Sequence, residues 1–416
     1  MKYFFLLLIF FYIIFPFYIK GIGLLMNVVV LCFVLYSFTV NYNHISSIFK
    51  RNRELLFSLY LYSCVIIASL YVPIISESYD FTYFKFLFVI AFYCIKYLAV
   101  IAFIRKHINL NLNGYLLLYI RTICTYVFIT LIFLISPSLR DFWDGIIVVS
   151  ERNQELAESL TYITRYGIQG YSGFMHTYMC NIATVFCIYL YINKPDKINS
   201  NELICYILLL TIGTMCYGRV GLIGNILLIC YLLVYNVIVK RLFKLFFISL
   251  MSISIVSIFI YLILQNNELA VYWFNWAFEP FINYVEYGEF SSSSSEHLQT
   301  MYFMPEINTL LFGDGKYFTD SGYYMKTDVG FLRPILFYGI VNTLLSYFML
   351  IMILIYIARR KKIQKKIIFT GLLLLLFLMY EVKGEAFHYM IMALLPLCFV
   401  ISLNRNEENV FCNTSV

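Results

Sequence analysis

The 416-residue sequence has few charged residues and lacks the common signatures of metal and nucleotide chemistry. Only 13% of its residues are charged, 62% are hydrophobic, and the mean hydropathy is +0.81. This composition excludes a soluble domain of this length. The five histidines are scattered without an HExxH motif, the eleven cysteines form no CxxC pair, and no GxxxxGK[ST] loop is present. Neither a zinc site nor a nucleotide-hydrolysing domain is therefore expected.

Long apolar runs fill most of the chain. A helix of about 20 apolar residues crosses the hydrocarbon core of a bilayer, and the sequence predicts about twelve such spans. They lie near 3–19, 22–40, 55–75, 82–104, 114–136, 172–193, 202–217, 219–239, 245–264, 334–357, 367–380 and 386–403. The runs are unbroken and lack the alternation of a barrel strand. We therefore expect an all-α polytopic membrane protein in which residues 1–416 form a single membrane domain.

Basic residues are concentrated in every second loop between the predicted spans. Lys and Arg are retained on the cytoplasmic side of helical membrane proteins, so these loops and both chain termini are predicted to face the cytoplasm. The residues that carry this prediction are Lys50, Arg51, Arg53, Arg105, Lys106, Lys194, Lys197, Lys240, Arg241, Lys244, Arg359, Arg360, Lys361, Lys362, Lys365 and Lys366. The net charge of +7 therefore indicates topology and does not point to a nucleic-acid partner.

Two predicted external segments, a medium one at 137–171 and a large one at 265–332, are unusually long. The first mixes apolar and acidic residues between Asp141 and Tyr166, which predicts one or two amphipathic helices on the external membrane face. The second is dense in aromatic residues between Glu268 and Tyr287, which favours an interfacial belt over a platform for stacked sugar rings. Five consecutive serines, Ser291 to Ser295, predict a flexible break.

Polar residues form four clusters at the external ends of predicted spans. The clusters are Arg165 with Gly167, Gly170 and Gly173; Tyr217 to Gly224, which includes Arg219; Gly313 to Gly315 with Asp328 to Pro334; and Glu381 to Glu385 with His388. Arginine at membrane level is costly unless it is paired with an anion or a carboxylate. Its fork of donors matches phosphate oxygens, so a lipid-linked diphosphate is a well-suited ligand. Glycine packing, a helix-entry salt bridge and solvated polar turns remain alternatives for individual clusters.

These features together resemble the O-antigen polymerases of the Wzy type, which belong to the membrane-embedded glycan polymerases and ligases. The likeness covers essentially the whole chain, from about twelve spans to the two long external loops. The motifs that carry it are Arg165 with its glycines, Arg219-Val220-Gly221, Gly313-Asp314-Gly315, Asp328 to Arg333, and Glu381-Val382-Lys383. One departure is that glycine does not follow Arg165, Arg219 or Arg333 at the eleven-position spacing of some relatives.

The resemblance implies a glycosyltransferase of the bacterial inner membrane whose active face is periplasmic. Such an enzyme transfers a growing glycan from undecaprenyl diphosphate to the end sugar of another lipid-linked repeat unit and releases undecaprenyl diphosphate. It needs no metal or other cofactor. Besides the lipid-linked donor and acceptor, membrane lipid and a polysaccharide chain-length regulator are the implied partners.

Residue roles follow from the charge that develops on the departing diphosphate, which fixed cationic donors stabilise. The residues that we assign to diphosphate binding are Arg165, Arg219, Arg333 and Lys383. The acceptor hydroxyl also needs a base near the external mouth, for which Asp328 and His176 are candidates, followed by Glu381. An O-antigen ligase shares the donor and the fold and stays an alternative. So does a lipid-linked oligosaccharide flippase or other transporter, although the long external loop disfavours it.

Overall fold

The protein is described here from a computed structural model that covers residues 2–107, 110–149, 165–194, 196–238, 268–319, 322–360, 363 and 365–413. The predicted span at 245–264, the basic residues Lys240, Arg241 and Lys244, and positions 150–164 of the first external segment lie outside these ranges. Most of the described chain is helical, and two short antiparallel hairpins interrupt it, Tyr166–Gly167 (β1) with Gly170–Tyr171 (β2) and Phe318–Thr319 (β3) with Gly322–Tyr323 (β4).

Sixteen α-helices are found in the described residues. They are α1 (Lys2–Ile14), α2 (Gly23–Val40), α3 (Tyr42–Arg51), α4 (Arg53–Ile75), α5 (Thr82–His107), α6 (Leu112–Ile135), α7 (Pro137–Ile146), α8 (Phe174–Asn193), α9 (Ser200–Tyr217), α10 (Arg219–Ile238), α11 (Glu268–Tyr287), α12 (Ser293–Thr300), α13 (Ile307–Phe312), α14 (Leu332–Ala358), α15 (Lys366–Glu381) and α16 (Phe387–Asn413).

Eight of these helices are long and apolar enough to cross a membrane, namely α2, α4, the first 23 residues of α5, α6, α8, α9, α10 and α14. The all-α polytopic class predicted from the sequence is therefore confirmed at this level. Three shorter apolar helices or helix segments, α1, α15 and residues 387–403 of α16, coincide with further predicted spans. The number of twelve spans and the orientation of the termini stay predictions.

Helix α8 lies at the centre of the bundle and packs against α6, α9, α10 and α15. Its residues from His176 to Tyr191 are all buried. Close contact with α10 depends on two glycines, because a Cβ atom at Gly221 or Gly224 would collide with Thr177 or Asn181 of α8. The Asn181 amide also donates to the Gly221 carbonyl at 3.0 Å. The start of α10, which carries Arg219, is thereby fixed against the N-terminal end of α8.

Helix α14 is broken at Gly339, whose φ of +81° is unfavourable for residues with a Cβ atom. The break leaves the carbonyls of Leu336 and Phe337 without helical partners, and they accept from the N–H groups of Asp314 and Gly315 at 2.7 and 2.9 Å. The Gly313-Asp314-Gly315 motif therefore completes the hydrogen bonding of α14, one of the eight candidate spans. This satisfies backbone groups that hydrocarbon could not.

The serine run does not form the flexible break that we expected, because helix α12 begins within it. Ser292 caps the helix by accepting from the N–H of Ser295 at 3.2 Å, while the Ser295 hydroxyl accepts from the Ser292 N–H at 2.8 Å. Serine suits this position because its short hydroxyl satisfies free N–H groups at a helix start. In the first external segment, α7 is the one helix that the described residues contain.

Candidate functional site

A polar cavity of about 610 Å³ opens among the ends of α8, α9 and α10, helices α11 and α12, the β3–β4 hairpin and the turn between α15 and α16. Its charged lining residues come from all four sequence clusters and lie far apart in the chain. They are Arg165, Arg219, Asp328, Arg333, Lys383 and Glu385. The structure therefore brings together the four predicted diphosphate-binding residues and one of the three predicted bases.

Two of the arginines contact the same indole ring. The guanidinium carbons of Arg165 and Arg219 lie 5.0 and 4.5 Å from the ring centre of Trp276 on α11. Arg165 also donates to the Tyr171 hydroxyl at 3.1 Å. Cation–π contacts of this kind stabilise positive charge away from water. Trp276 thus holds two cations close to one another at the cavity wall.

Glu279, one helical turn after Trp276, pairs with Arg219. Its Oε2 atom lies 2.5 Å from Arg219 Nη1, and the carboxylate accepts from the backbone N–H and the hydroxyl of Ser293 at 2.9 and 3.2 Å. Burial raises the pKa of Glu279, but the Ser293 N–H and the Arg219 guanidinium outweigh it and hold this pKa below its ordinary value. The carboxylate is therefore ionised at neutral pH. We call Arg165, Arg219, Trp276 and Glu279 the indole wall.

Arg333 lies in a different aromatic environment. Its guanidinium carbon is 3.7 Å from the ring centre of Tyr323 and 4.2 Å from that of Tyr317. Its side chain is only 10% exposed, and Nη1 lies 3.9 Å from Glu385 Oε2. The Nε atom is buried without a hydrogen-bond partner among the described residues. A buried guanidinium with an unused donor is suited to an anionic ligand.

Glu385 is held by a buried network beside Arg333. It accepts from the hydroxyls of Tyr317, at 2.8 Å, and Tyr83, and its Oε1 lies 2.5 Å from His388 Nε2. Burial raises the pKa of Glu385, but His388, Arg333 and Tyr83 together lower it to about 2. The carboxylate is therefore a fixed negative charge. We call Arg333, Tyr317, Tyr323, Glu385 and His388 the tyrosine wall.

Asp328 and Lys383 complete the charged lining. Burial raises the pKa of Asp328 above its ordinary value, although Arg333, Lys383 and His297 act in the opposite direction. Burial lowers the pKa of Lys383, and the positive charges of Arg219 and Arg165 lower it further. Lys383 Nζ donates to the Ser294 hydroxyl on α12. Because a carboxylate with a raised pKa holds a proton more strongly, Asp328 has the chemistry expected of a base.

Gly330 packs so closely against the turn between α15 and α16 that any larger residue would clash with it. A Cβ atom there would lie 2.4 Å from the carbonyl oxygen of Gly384 and would also meet the Glu381 carboxylate. The Gly330 N–H donates to the Glu381 carbonyl at 2.9 Å. This contact joins the segment that carries Asp328 and Arg333 to the turn that carries Lys383 and Glu385.

His176 does not line the cavity. Its ring is stacked near Phe15 and Tyr126, with ring centres 5.6 and 4.9 Å away. His176 is 6% exposed, and neither nitrogen of its imidazole has a hydrogen-bond partner among the described residues. The next residue, Thr177, does line the cavity. His176 is thus part of an aromatic stack, and its catalytic role stays a prediction without geometric support.

Glu381 is also placed apart from the cavity. Its Oε1 accepts from the N–H groups of Ala386 and Phe387 at 3.0 and 2.7 Å, and its Oε2 accepts from the Tyr347 hydroxyl at 3.2 Å. These bonds satisfy free N–H groups at the start of α16. The geometry therefore gives Glu381 a capping role, and its role as a base stays a prediction.

As for metals, the described residues contain no cluster of three or more His, Cys, Asp or Glu side chains that could hold one.

Sequence reasoning missed four contributors to the site: Glu279, Tyr317, Tyr323 and Tyr83. It placed Trp276 in an interfacial belt and quoted Glu385 without assigning it a role. A signal was present on α11, because Trp276 and Glu279 are three residues apart and so share a helix face. No comparable signal marks the tyrosines, which belong to a chain with 38 of them.

Comparison with known proteins does not identify a relative. No protein-family profile matches the sequence, no curated protein matches it, and no solved structure matches its fold.

Proposed function

We propose that the protein is a membrane-embedded glycosyltransferase of the O-antigen polymerase type. In this proposal it joins oligosaccharide repeat units carried on undecaprenyl diphosphate, on the periplasmic face of the bacterial inner membrane. The observation that supports it best is the convergence of Arg165, Arg219, Arg333 and Lys383 on one cavity. Three of the four sequence clusters were singled out for arginines at membrane level, and all three arginines line the same space.

The chemistry of the leaving group explains why such a cavity would be useful. When the bond between the anomeric carbon and the diphosphate oxygen breaks, the electron pair leaves with the diphosphate. Guanidinium and ammonium groups that are already in place stabilise this charge, and removal of one such donor typically costs about 3 kcal/mol. The two arginines at Trp276 and the one at Tyr323 are held by ring contacts, so little reorganisation is needed.

Asp328 is the residue that we assign to the acceptor. It lines the same cavity, and its raised pKa favours proton uptake from a sugar hydroxyl as that oxygen attacks the anomeric carbon. The aromatic rings of Trp276, Tyr317 and Tyr323 give the cavity flat apolar surfaces beside its charges. A saccharide next to a diphosphate needs both kinds of surface.

Deletion of the gene in the native host, followed by gel separation of surface lipopolysaccharide, tests this function. A polymerase predicts loss of the long ladder with retention of core that bears a single repeat unit. Bare core alone would indicate a ligase or a flippase instead. Complementation with Arg219→Ala, checked for normal abundance in the membrane, then asks whether the cavity is the site. Full-length polymer from that variant would remove Arg219 from the proposal.

A further inference from the structure

Glu279 occupies a position that suits a phosphate group. Three groups converge on its carboxylate: the Arg219 guanidinium, which forms an ion pair at 2.5 Å, and the Ser293 N–H and hydroxyl, which donate at 2.9 and 3.2 Å. Ser293 is the first residue of the eight-residue helix α12, so its N–H lies at the positive end of the helix dipole. Guanidinium, a helix-start amide and a hydroxyl are also the donors that proteins use to bind phosphate.

Positive charge exceeds negative charge in this part of the cavity. Arg165 and Arg219 share Trp276, and both lower the pKa of Lys383, which places the three cations within electrostatic range of one another. Glu279 is the carboxylate that pairs with Arg219 here. The Arg219 side chain is 10% exposed, and its Nε atom is buried without a hydrogen-bond partner among the described residues. The site therefore has more donor capacity than one carboxylate uses.

Glu279 is also held less firmly than Glu385, the cavity carboxylate that pairs with Arg333. Its side chain is 25% exposed, whereas that of Glu385 is 4% exposed and contacts Tyr83, Tyr317 and His388. An exposed carboxylate loses less on release because water solvates it. The free-energy cost of replacing Glu279 with another anion is therefore lower than that of replacing Glu385.

We propose that the carboxylate of Glu279 and a phosphate group of the lipid-linked diphosphate are alternative ligands of one anion site, formed by Arg219 and Ser293. The inference rests on the proposed function and deepens it. The diphosphate displaces Glu279 when it binds, and Glu279 pairs with Arg219 again when the product leaves. Glu279 thus sets how tightly the cavity holds diphosphate and promotes release of the lipid product.

Glu279→Gln tests the competition, because the amide keeps the size of the side chain and removes its charge. Calorimetric titration of the purified full-length protein in detergent, with inorganic pyrophosphate and then farnesyl diphosphate as probes, measures the affinity. We expect about tenfold tighter binding of both probes by the variant, since a charge-assisted contact no longer competes. Glu286→Gln is the matched control, because it removes the same charge from an exposed position on the same helix. It should bind as the unaltered protein does.

The outcomes separate this inference from the proposed function. Weaker binding by Glu279→Gln than by the unaltered protein would show that Glu279 only orients Arg219, and it would overturn the inference while leaving the diphosphate site intact. Absence of binding by both proteins would overturn the diphosphate site as well. Should Glu279→Gln fail to fold, Glu279→Asp draws the carboxylate back from Arg219 with its charge retained. It should also bind pyrophosphate more tightly than the unaltered protein.

Discussion

The indole wall and the tyrosine wall present arginines to one cavity in different ways. In the indole wall the partner carboxylate, Glu279, comes from helix α11 and is partly exposed. In the tyrosine wall the partner, Glu385, lies in the turn between α15 and α16 and is buried among Tyr83, Tyr317 and His388. Burial makes the second arrangement rigid, whereas the first can exchange partners. A single cavity therefore combines Arg333, which is held in one arrangement, with the Arg219–Glu279 pair, which can exchange partners.

The largest expected effect is on stability, and it should differ between the two walls. Glu385→Gln leaves Arg333 without its buried counter-charge, which we expect to cost about 3–5 kcal/mol. Glu279→Gln removes a partly exposed pair, and the expected cost is at most about 1 kcal/mol. Thermal unfolding of the two purified variants in the same detergent measures the difference. Equal shifts of the midpoint would contradict the contrast between the walls.

The next effect concerns the pH dependence of transfer. Burial raises the pKa of Asp328. Asp328 should therefore be fully ionised, and able to act as a base, above that raised pKa, and this activity should be lost as the pH falls through it. Glu385, with a pKa of about 2, stays ionised throughout this window. Asp328→Asn should lower the rate by about 10²–10⁴-fold and abolish this acid limb.

Rates measured with lipid-linked repeat units over a pH series check this prediction. An acid limb that persists in the Asn variant would place the base elsewhere.

The smallest of the three expected effects concerns the Arg219–Glu279 pair. Arg219→Lys keeps the positive charge but loses the planar fork that contacts Glu279 and Trp276, so polymer formation should fall about 10²-fold. Arg359→Lys is a suitable control, because Arg359 is 66% exposed and pairs with Glu54 outside the cavity. Ladder length and intensity in complemented cells give the comparison. A normal ladder from both variants would show that a single charge suffices at position 219.

The sequence predicted the helices and the charged lining because both depend on local properties. Long apolar runs specify membrane helices without reference to neighbours. Arginine and lysine at the ends of such runs are costly to place in hydrocarbon, which favours their facing a shared polar cavity. Arg165, Arg219, Arg333 and Lys383 could therefore be chosen before their contacts were known.

Side-chain direction could not be predicted in the same way. His176 and Thr177 are neighbours on α8, about 100° apart around the helix, and only packing decides which of them reaches the cavity. Glu381 and Glu385 lie in one short charged segment, yet the first satisfies backbone N–H groups and the second faces Arg333. The role of Trp276 depends on Arg165 and Arg219, which are more than fifty residues away in the chain. These distinctions arise from tertiary contacts.

The break of α14 at Gly339 has a mechanical consequence. The segment before the break, from Leu332 to Tyr338, is about 10 Å long at 1.5 Å per residue. It carries Arg333 near its start, and its Leu336 and Phe337 carbonyls accept from the N–H groups of Asp314 and Gly315. A tilt of about 10° at Gly339 would move Arg333 by about 1.6 Å, because six residues with a rise of about 1.5 Å each separate the two. The position of Arg333 therefore depends on the angle at Gly339, next to which Asp314 and Gly315 bond the carbonyls of Leu336 and Phe337.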